Sequence, residues 1–166
     1  EISGFLAANP DWAGLMPLRR HGERNMPDTM SASAVVAWFS QLPPITGEGK
    51  YRLGSALVAS GGRESGTALL REAWTDHDIN GRTERKLVGD HGRLLRPADH
   101  WARVDRLLWG DQVTAARRVM PHLDEGHRLL AKARIALITG TGGVDAAIAK
   151  VPPALASDPG LLYQRI

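Results

Sequence analysis

The sequence predicts an all-α fold, a right-handed superhelix (α-solenoid) of antiparallel helix pairs of the tetratricopeptide-like kind, in one domain over residues 1–166. Three observations carry this expectation. Alanine, leucine and arginine dominate, and all three favour helices. Val and Ile rarely alternate with polar residues, and Tyr and Phe number two each, so the period-two signal of strands is missing. Finally, Ser, Thr, Gly and Pro fall where helices start and stop.

The elements follow in order. Pro10 suits the first turn of a helix over about 10–26. Ser31 can cap a helix through Ala37, Trp38 and Phe39, which Pro43-Pro44 must stop. Thr46 starts the next, with Leu53, Leu57 and Val58, and Gly61-Gly62 ends it. Ala68, Leu69, Ala73 and Trp74 mark a fourth helix, and Leu87, Val88, Leu94 and Leu95 a shorter fifth. Pro97 opens a helix whose Trp101, Val104 and Leu108 share one face. Gly110 breaks it, and Val113, Ala116 and Met120 stripe its partner. Leu130, Ala133 and Leu137 stripe another, Val144, Ala147, Ile148 and Val151 the next, and Pro152-Pro153 and Pro159 punctuate the tail.

Three bends repeat one pattern. "ALVASGGRESGTALLREAW", "RLLWGDQVTAARRVM" and "ALITGTGGVDAAIAKV" each join an apolar helix end, a glycine (Gly61, Gly110, Gly140), a polar bend and small alanines soon after. Glycine supplies the positive torsion that ends the first helix, and small side chains let the pair approach. Gly110 and Gly140 lie 30 residues apart, near the period of tetratricopeptide-like units. The last bend, Thr139-Gly140-Thr141-Gly142-Gly143, also looks like a dinucleotide-binding turn. That fingerprint needs a preceding strand and a third glycine at a fixed offset. Here the run "GHRLLAKARIALI" is helical in spacing and the third position is Asp145, whose charge would repel a pyrophosphate. The bend is therefore expected to join two helices, with Gly140 left-handed and no nucleotide bound.

Composition limits the chemistry. Hydrophobic residues make up 43%, which supports a packed core, and the net charge is +3 with basic residues dispersed. Dispersed charge argues against a nucleic-acid partner. There is no cysteine, so thiol catalysis and cysteine metal sites are excluded. No stretch approaches about 18 apolar residues, so no transmembrane segment is expected. The opening Glu1-Ile2-Ser3-Gly4-Phe5 is not a signal peptide, and the chain reads as a segment of a longer one.

Candidate site residues are few. None of the six histidines forms a His-Glu-x-x-His pattern, and Asp76-His77-Asp78 reads as a solvated inter-helix turn. Asp99 suits the positive end of its helix, and His100 its surface. No serine sits in a nucleophile elbow. The five tryptophans, Trp12, Trp38, Trp74, Trp101 and Trp109, sit in apolar helical patterns and read as core rather than a sugar platform. Arg103 and Arg106 fall opposite the Trp101/Val104/Leu108 stripe, and Arg117 and Arg118 off the Val113/Ala116/Met120 stripe. These four arginines are the candidate contacts for an anionic partner. No cofactor is expected.

One block resembles a known family. "PADHWARVDRLLWGDQVTAARRVMPHLDEGHRLLAKARIAL" (97–137) is similar to the superhelical region of soluble lytic murein transglycosylases of the alphaproteobacterial type, and "FLAANPDWAGL", "AVVAWFSQLPPITGEGKYRLGSAL", "LREAWTDHDINGRTERKLVGDHGRLL" and "VPPALASDPGLLYQRI" continue the likeness. The resemblance implies a periplasmic enzyme that cleaves peptidoglycan between N-acetylmuramic acid and N-acetylglucosamine to a 1,6-anhydro product. In the family a helical superhelix precedes a lysozyme-like domain with one catalytic glutamate in a Glu-Ser motif, followed by Gly-Leu-Met-Gln and Ala-Tyr-Asn motifs. Two echoes occur here, Glu64-Ser65 and Gly14-Leu15-Met16. Their order is reversed, Pro17 replaces the glutamine and Ala-Tyr-Asn is missing. No catalytic residue carries over. The resemblance thus implies the superhelical part without its catalytic domain, scaffolding the enzyme on peptidoglycan and contacting glycan strands or other cell-wall proteins. The competing reading is a tetratricopeptide-like adaptor for protein segments.

Overall fold

The computed structural model describes residues 15–166, together with Gly4. Pro10, Trp12 and Gly14, invoked above, lie outside the described residues. Among the described residues there are ten α-helices and no strand, as the sequence predicts. They gather into two compact units, one ending at Leu94 and one beginning at Leu95.

The first unit holds α1 (Leu15–Arg24), α2 (Ala32–Phe39), α3 (Gly47–Ala59), α4 (Arg63–Thr75) and α5 (Gly81–His91), with a 3₁₀ turn over Gly92–Leu94. The expected caps form: Ser31 accepts from the Ala34 amide at 3.2 Å and Thr46 from the Gly49 amide at 3.0 Å. The α2 helix stops at Ser40, before the two prolines. Val35, Phe39 and Ala56 form one core cluster, joined by Met26, Met30, Trp38 and Leu53. Leu70, Ala73, Trp74 and Leu87 are buried in the rest of the unit.

Buried carboxylates fix how these helices meet. Glu23, at the end of α1, is 1% exposed and accepts from the Thr46 amide and hydroxyl, each at 2.7 Å, and from the Ile45 amide at 3.0 Å. Those amides belong to the start of α3, where free N–H groups and the helix dipole favour a negative charge. Glu48 of α3 repeats the device, accepting from the Asn80 amide at 3.1 Å and its side-chain nitrogen at 3.0 Å at the start of α5.

The second unit holds α6 (Pro97–Trp109), α7 (Val113–Val119), α8 (Glu125–Thr139), α9 (Val144–Ile148) and α10 (Pro159–Gln164), with 3₁₀ turns over Met120–His122 and Pro153–Leu155. Pro97 opens α6, where Asp99 accepts from the Arg96 amide at 2.7 Å. Leu130, Ala133, Val151 and Leu161 form the core, with Trp101, Leu137 and Ile148 packed against it. Arg134 is fully buried there. It is paired with Asp105, lies 3.6 Å from Asp158, and donates to Gln164 at 2.9 Å. Its guanidinium lies where a Gly160 side chain would be, so only glycine fits at 160.

The three bends are less alike than the sequence suggests. Gly140 is left-handed as expected (φ 60°), Gly143 follows at 87°, and Gly61 has φ 92°. Gly110 does not: its φ is −97°, and the positive torsion falls on Asp111 (φ 53°). Asp tolerates that region better than most residues with a β-carbon. The Gln112 amide still reaches Leu107 O at 2.8 Å, so the turn closes one residue later than the glycine.

A close approach of α3 and α4 is made by Gly54 and Gly66 rather than by the alanines expected after the bend. A β-carbon on Gly66 would stand 2.7 Å from Gly54 O, and one on Gly54 would stand 2.9 Å from Gly66 O. Alanine normally gains roughly 1 kcal/mol over glycine in a helix. Here it must push backbone apart, an overpacking penalty of about 1–3 kcal/mol. Gly66→Ala should therefore lower stability in urea unfolding by about 1–2 kcal/mol. Gly110→Ala, whose β-carbon meets nothing closer than 3.6 Å, should stay within about 0.5 kcal/mol of the parent. Equal melting of the two variants would contradict the packing described for α3 and α4.

Candidate functional site

The four arginines fall into different environments. Arg103 is 1% exposed, not on a solvated face. The buried side of α6 includes Leu107 as well as Val104 and Leu108, and Arg103 lies one turn before Leu107. The stripe is wider than Trp101, Val104 and Leu108 alone indicate. Arg106 is half-buried, whereas Arg117 and Arg118 are exposed on α7. Arg103, Arg106 and Arg118 each interact with other residues of the chain.

The tryptophans divide in the same way. Trp74 is buried and Trp101 is half-buried, its ring 4.7 Å from that of His127. Trp109 departs from the core reading, being 46% exposed. It is the last residue of α6, beside the Gly110 bend. Its ring lies 5.2 Å from that of exposed Tyr163, with the Arg134 guanidinium carbon 5.5 Å from its centre. His100, expected on the surface, is half-buried and stacks on His122 at 5.0 Å.

Glu64 and Ser65 are both exposed on the first turn of α4. Their surroundings, Arg63, Thr67, Ala68 and Arg71, supply two cations and no enclosed apolar pocket. Asp76 and Asp78 are exposed after α4, and among the described residues no three His, Asp or Glu side chains gather as metal ligands.

The structure does bring together one pair that spacing could not show. Ser55 Oγ of α3 and His91 Nε2 of α5 are 2.9 Å apart, with the Tyr51 hydroxyl donating to Asp90 at 3.4 Å beside them. The contact spans 36 residues, so only the packing of α3 on α5 reveals it. Burial pushes the His91 pKa down, against the pull of Asp90, which favours the neutral ring. A neutral histidine beside a serine is the start of a nucleophilic site. An oxyanion site is the missing part. Ser55 sits inside α3, where backbone N–H groups bond within the helix and cannot be offered to a reacting carbonyl. The pair acts as a polar tie between helices.

One concavity of ligand size lies wholly in the second unit. It is a groove of about 670 Å³ lined by one face of α8 (Arg128, Lys132, Ile135, Ala136), by Thr141 beyond the Gly140 bend, and by Arg117, Met120 and Pro121 opposite. The glycine bend thus serves the groove by placing Thr141 at its end. Of the four arginines singled out from sequence, only Arg117 lines it. Arg128 and Lys132 stand four residues apart on α8 and went unnoticed because each falls singly within an apolar pattern.

No family model, curated protein or solved structure matches the chain.

Two histidines set a pH dependence. Burial pushes His91 and His100 below the ordinary value of 6.5, and His122 pushes His100 further the same way, while Asp90 and Asp99 oppose weakly. The unfolded chain therefore takes these protons first. The stability they contribute is complete above pH 6.5 and is lost as pH falls through that value toward the lower folded values. Asp28 and Asp124 are held below 3.8, so they act only in stronger acid. Stability should fall between pH 7 and 5 by less than about 1.4 kcal/mol per pH unit for each histidine, since both rings are partly solvated. The double variant His91→Gln, His100→Gln should flatten that decline in urea titrations. An unchanged slope would show that neither ring is held neutral.

Proposed function

We propose that this chain is a non-catalytic helical superhelix segment of a peptidoglycan lytic transglycosylase, and that it scaffolds the enzyme in the periplasm and contacts glycan strands or partner proteins. The observation that carries the reading is the use of the chain's polar groups. Glu23, Glu48, Asp99, Asp124 and Asp158 are spent at helix starts, and Arg134 as a buried brace. The one Glu-Ser pair lies exposed on a helix start with no pocket around it. Such a division of labour suits a scaffold that leaves chemistry to another domain. The resemblance of residues 97–137 to the superhelical region of soluble lytic murein transglycosylases supports the choice of family. No described helix is long and apolar enough to cross a membrane.

A tetratricopeptide-like adaptor is the second reading. It is favoured by the groove on α8, which has the size of a ligand site and no catalytic group.

The chain should release no anhydromuropeptides from purified peptidoglycan, yet sediment with it. Products above a blank, abolished by Glu64→Gln, would sink the non-catalytic reading. Failure to sediment with peptidoglycan, together with retained binding to protein partners, would favour the adaptor.

A further inference from the structure

The groove of the second unit carries an unbalanced charge. Three cations, Arg117, Arg128 and Lys132, surround a floor of Met120, Pro121, Ile135 and Ala136, and no carboxylate lines it. Arg117 and Lys132 are exposed and form no hydrogen bond or ion pair with any described residue. Arg128 is held differently. It donates to Glu125 at 2.8 Å and to Leu123 O at 2.7 Å, while its Nε is buried with no partner. Its guanidinium is thereby fixed in place, and these two bonds use only part of its five N–H donors.

A single cation on a protein surface is ordinary. Three around one recess, with Arg117 and Lys132 unpaired and Arg128 shared with Glu125, focus a positive potential over a floor of low dielectric on whatever enters. The groove's volume of about 670 Å³ lies in the usual range for ligand sites, roughly 300–1,000 Å³.

We propose that this groove binds an acidic peptide segment: two carboxylates, one meeting Arg117 and one meeting Arg128 and Lys132, with an apolar side chain between them on Met120, Pro121, Ile135 and Ala136. Arginine forks suit carboxylates, and the apolar floor between the cations suits a side chain rather than a continuous anionic backbone. A nucleic-acid strand would need aromatic platforms along a cationic track, and the groove has no aromatic residue. An anionic membrane surface would need the apolar residues to project, whereas here they form the floor of a recess. The assignment stands apart from the scaffold reading, since it needs only the α7–α8 geometry.

The test is fluorescence anisotropy of the full chain with a labelled peptide carrying two glutamates around a leucine, and with the same peptide carrying glutamines. Saturable binding of the glutamate peptide is expected, weakening with salt, and the glutamine peptide should bind much more weakly. The exposed double variant Arg117→Glu, Lys132→Glu should melt like the parent and lose roughly tenfold or more in affinity, since exposed pairs contribute modestly one by one and reversal adds repulsion. Met120→Ser, which changes the apolar floor but leaves the groove's charge as it is, should weaken the leucine peptide but spare one with alanine at that position. Equal binding of the two parent peptides, or unchanged affinity in the charge-reversed variant, would overturn the proposal. So would binding of anionic vesicles or duplex DNA through the same cations with no saturable peptide binding.

Discussion

A full positive charge buried in the second unit governs how that unit packs. Arg134 has no exposure, and taking an ion out of water costs several kcal/mol unless partners replace the lost hydration. The partners come from elsewhere in the unit: Asp105 from α6, Asp158 at the start of α10 and Gln164 near its end. Each must sit within reach of one guanidinium, so α6, α8 and α10 have little freedom to slide. Gly160 follows from the same constraint, because the guanidinium occupies the space of its missing side chain. Even Trp109, largely exposed, is steadied by the cation beneath its ring. On α8 the groove residues Lys132 and Ala136 lie roughly opposite Arg134 at about 100° per residue, with Arg128 somewhat to one side. One face of α8 is thus tied down by a paired charge, while the other keeps the unpaired Lys132 available.

The first unit solves a similar problem with the opposite sign. A chain with few large aromatic residues cannot specify helix contacts by shape alone, and directional polar ties supply what shape does not. Glu23 and Glu48 reach from one helix to the start of another, where amides need acceptors and the dipole favours anions. Gly49 leaves room for the Glu23 carboxylate just as Gly160 leaves room for Arg134. Close packing of α3 on α4 adds the Gly54–Gly66 contact. The glycines that look like helix breakers in the sequence therefore do two jobs: Gly61 and Gly140 turn the chain, and Gly49, Gly54, Gly66 and Gly160 make space.

Much of the fold was legible because its signals are local. Ser31 and Thr46 announce their caps, Pro97 its helix start, and Gly140 its left-handed end. What escaped is partly fine local geometry and partly contact between partners distant in sequence. A solvated face for Arg103 fails because Leu107 widens the buried side of α6. The positive torsion expected at Gly110 moves to Asp111, which a glycine count cannot show. Trp109 reads as core from its apolar neighbours, but its place at a helix end leaves it uncovered. The Ser55–His91 contact and the pairing of Arg117 with Arg128 and Lys132 around one groove require the helices to be assembled first. For the site, only Arg117 was visible beforehand, through its position off the apolar stripe of α7.

These strands meet in one claim: the chain spends its buried charges on architecture, which suits a part that positions rather than reacts. Equilibrium urea unfolding of Asp105→Asn, Asp158→Asn tests it most directly. Asparagine preserves the cap at α10 while removing both counter-charges from Arg134. The variant should lose about 3 kcal/mol, as buried cations do when left without a counter-charge, and adding Arg134→Met should restore much of the loss. An Asp105→Asn, Asp158→Asn chain that unfolds at the parent's urea midpoint would contradict the claim.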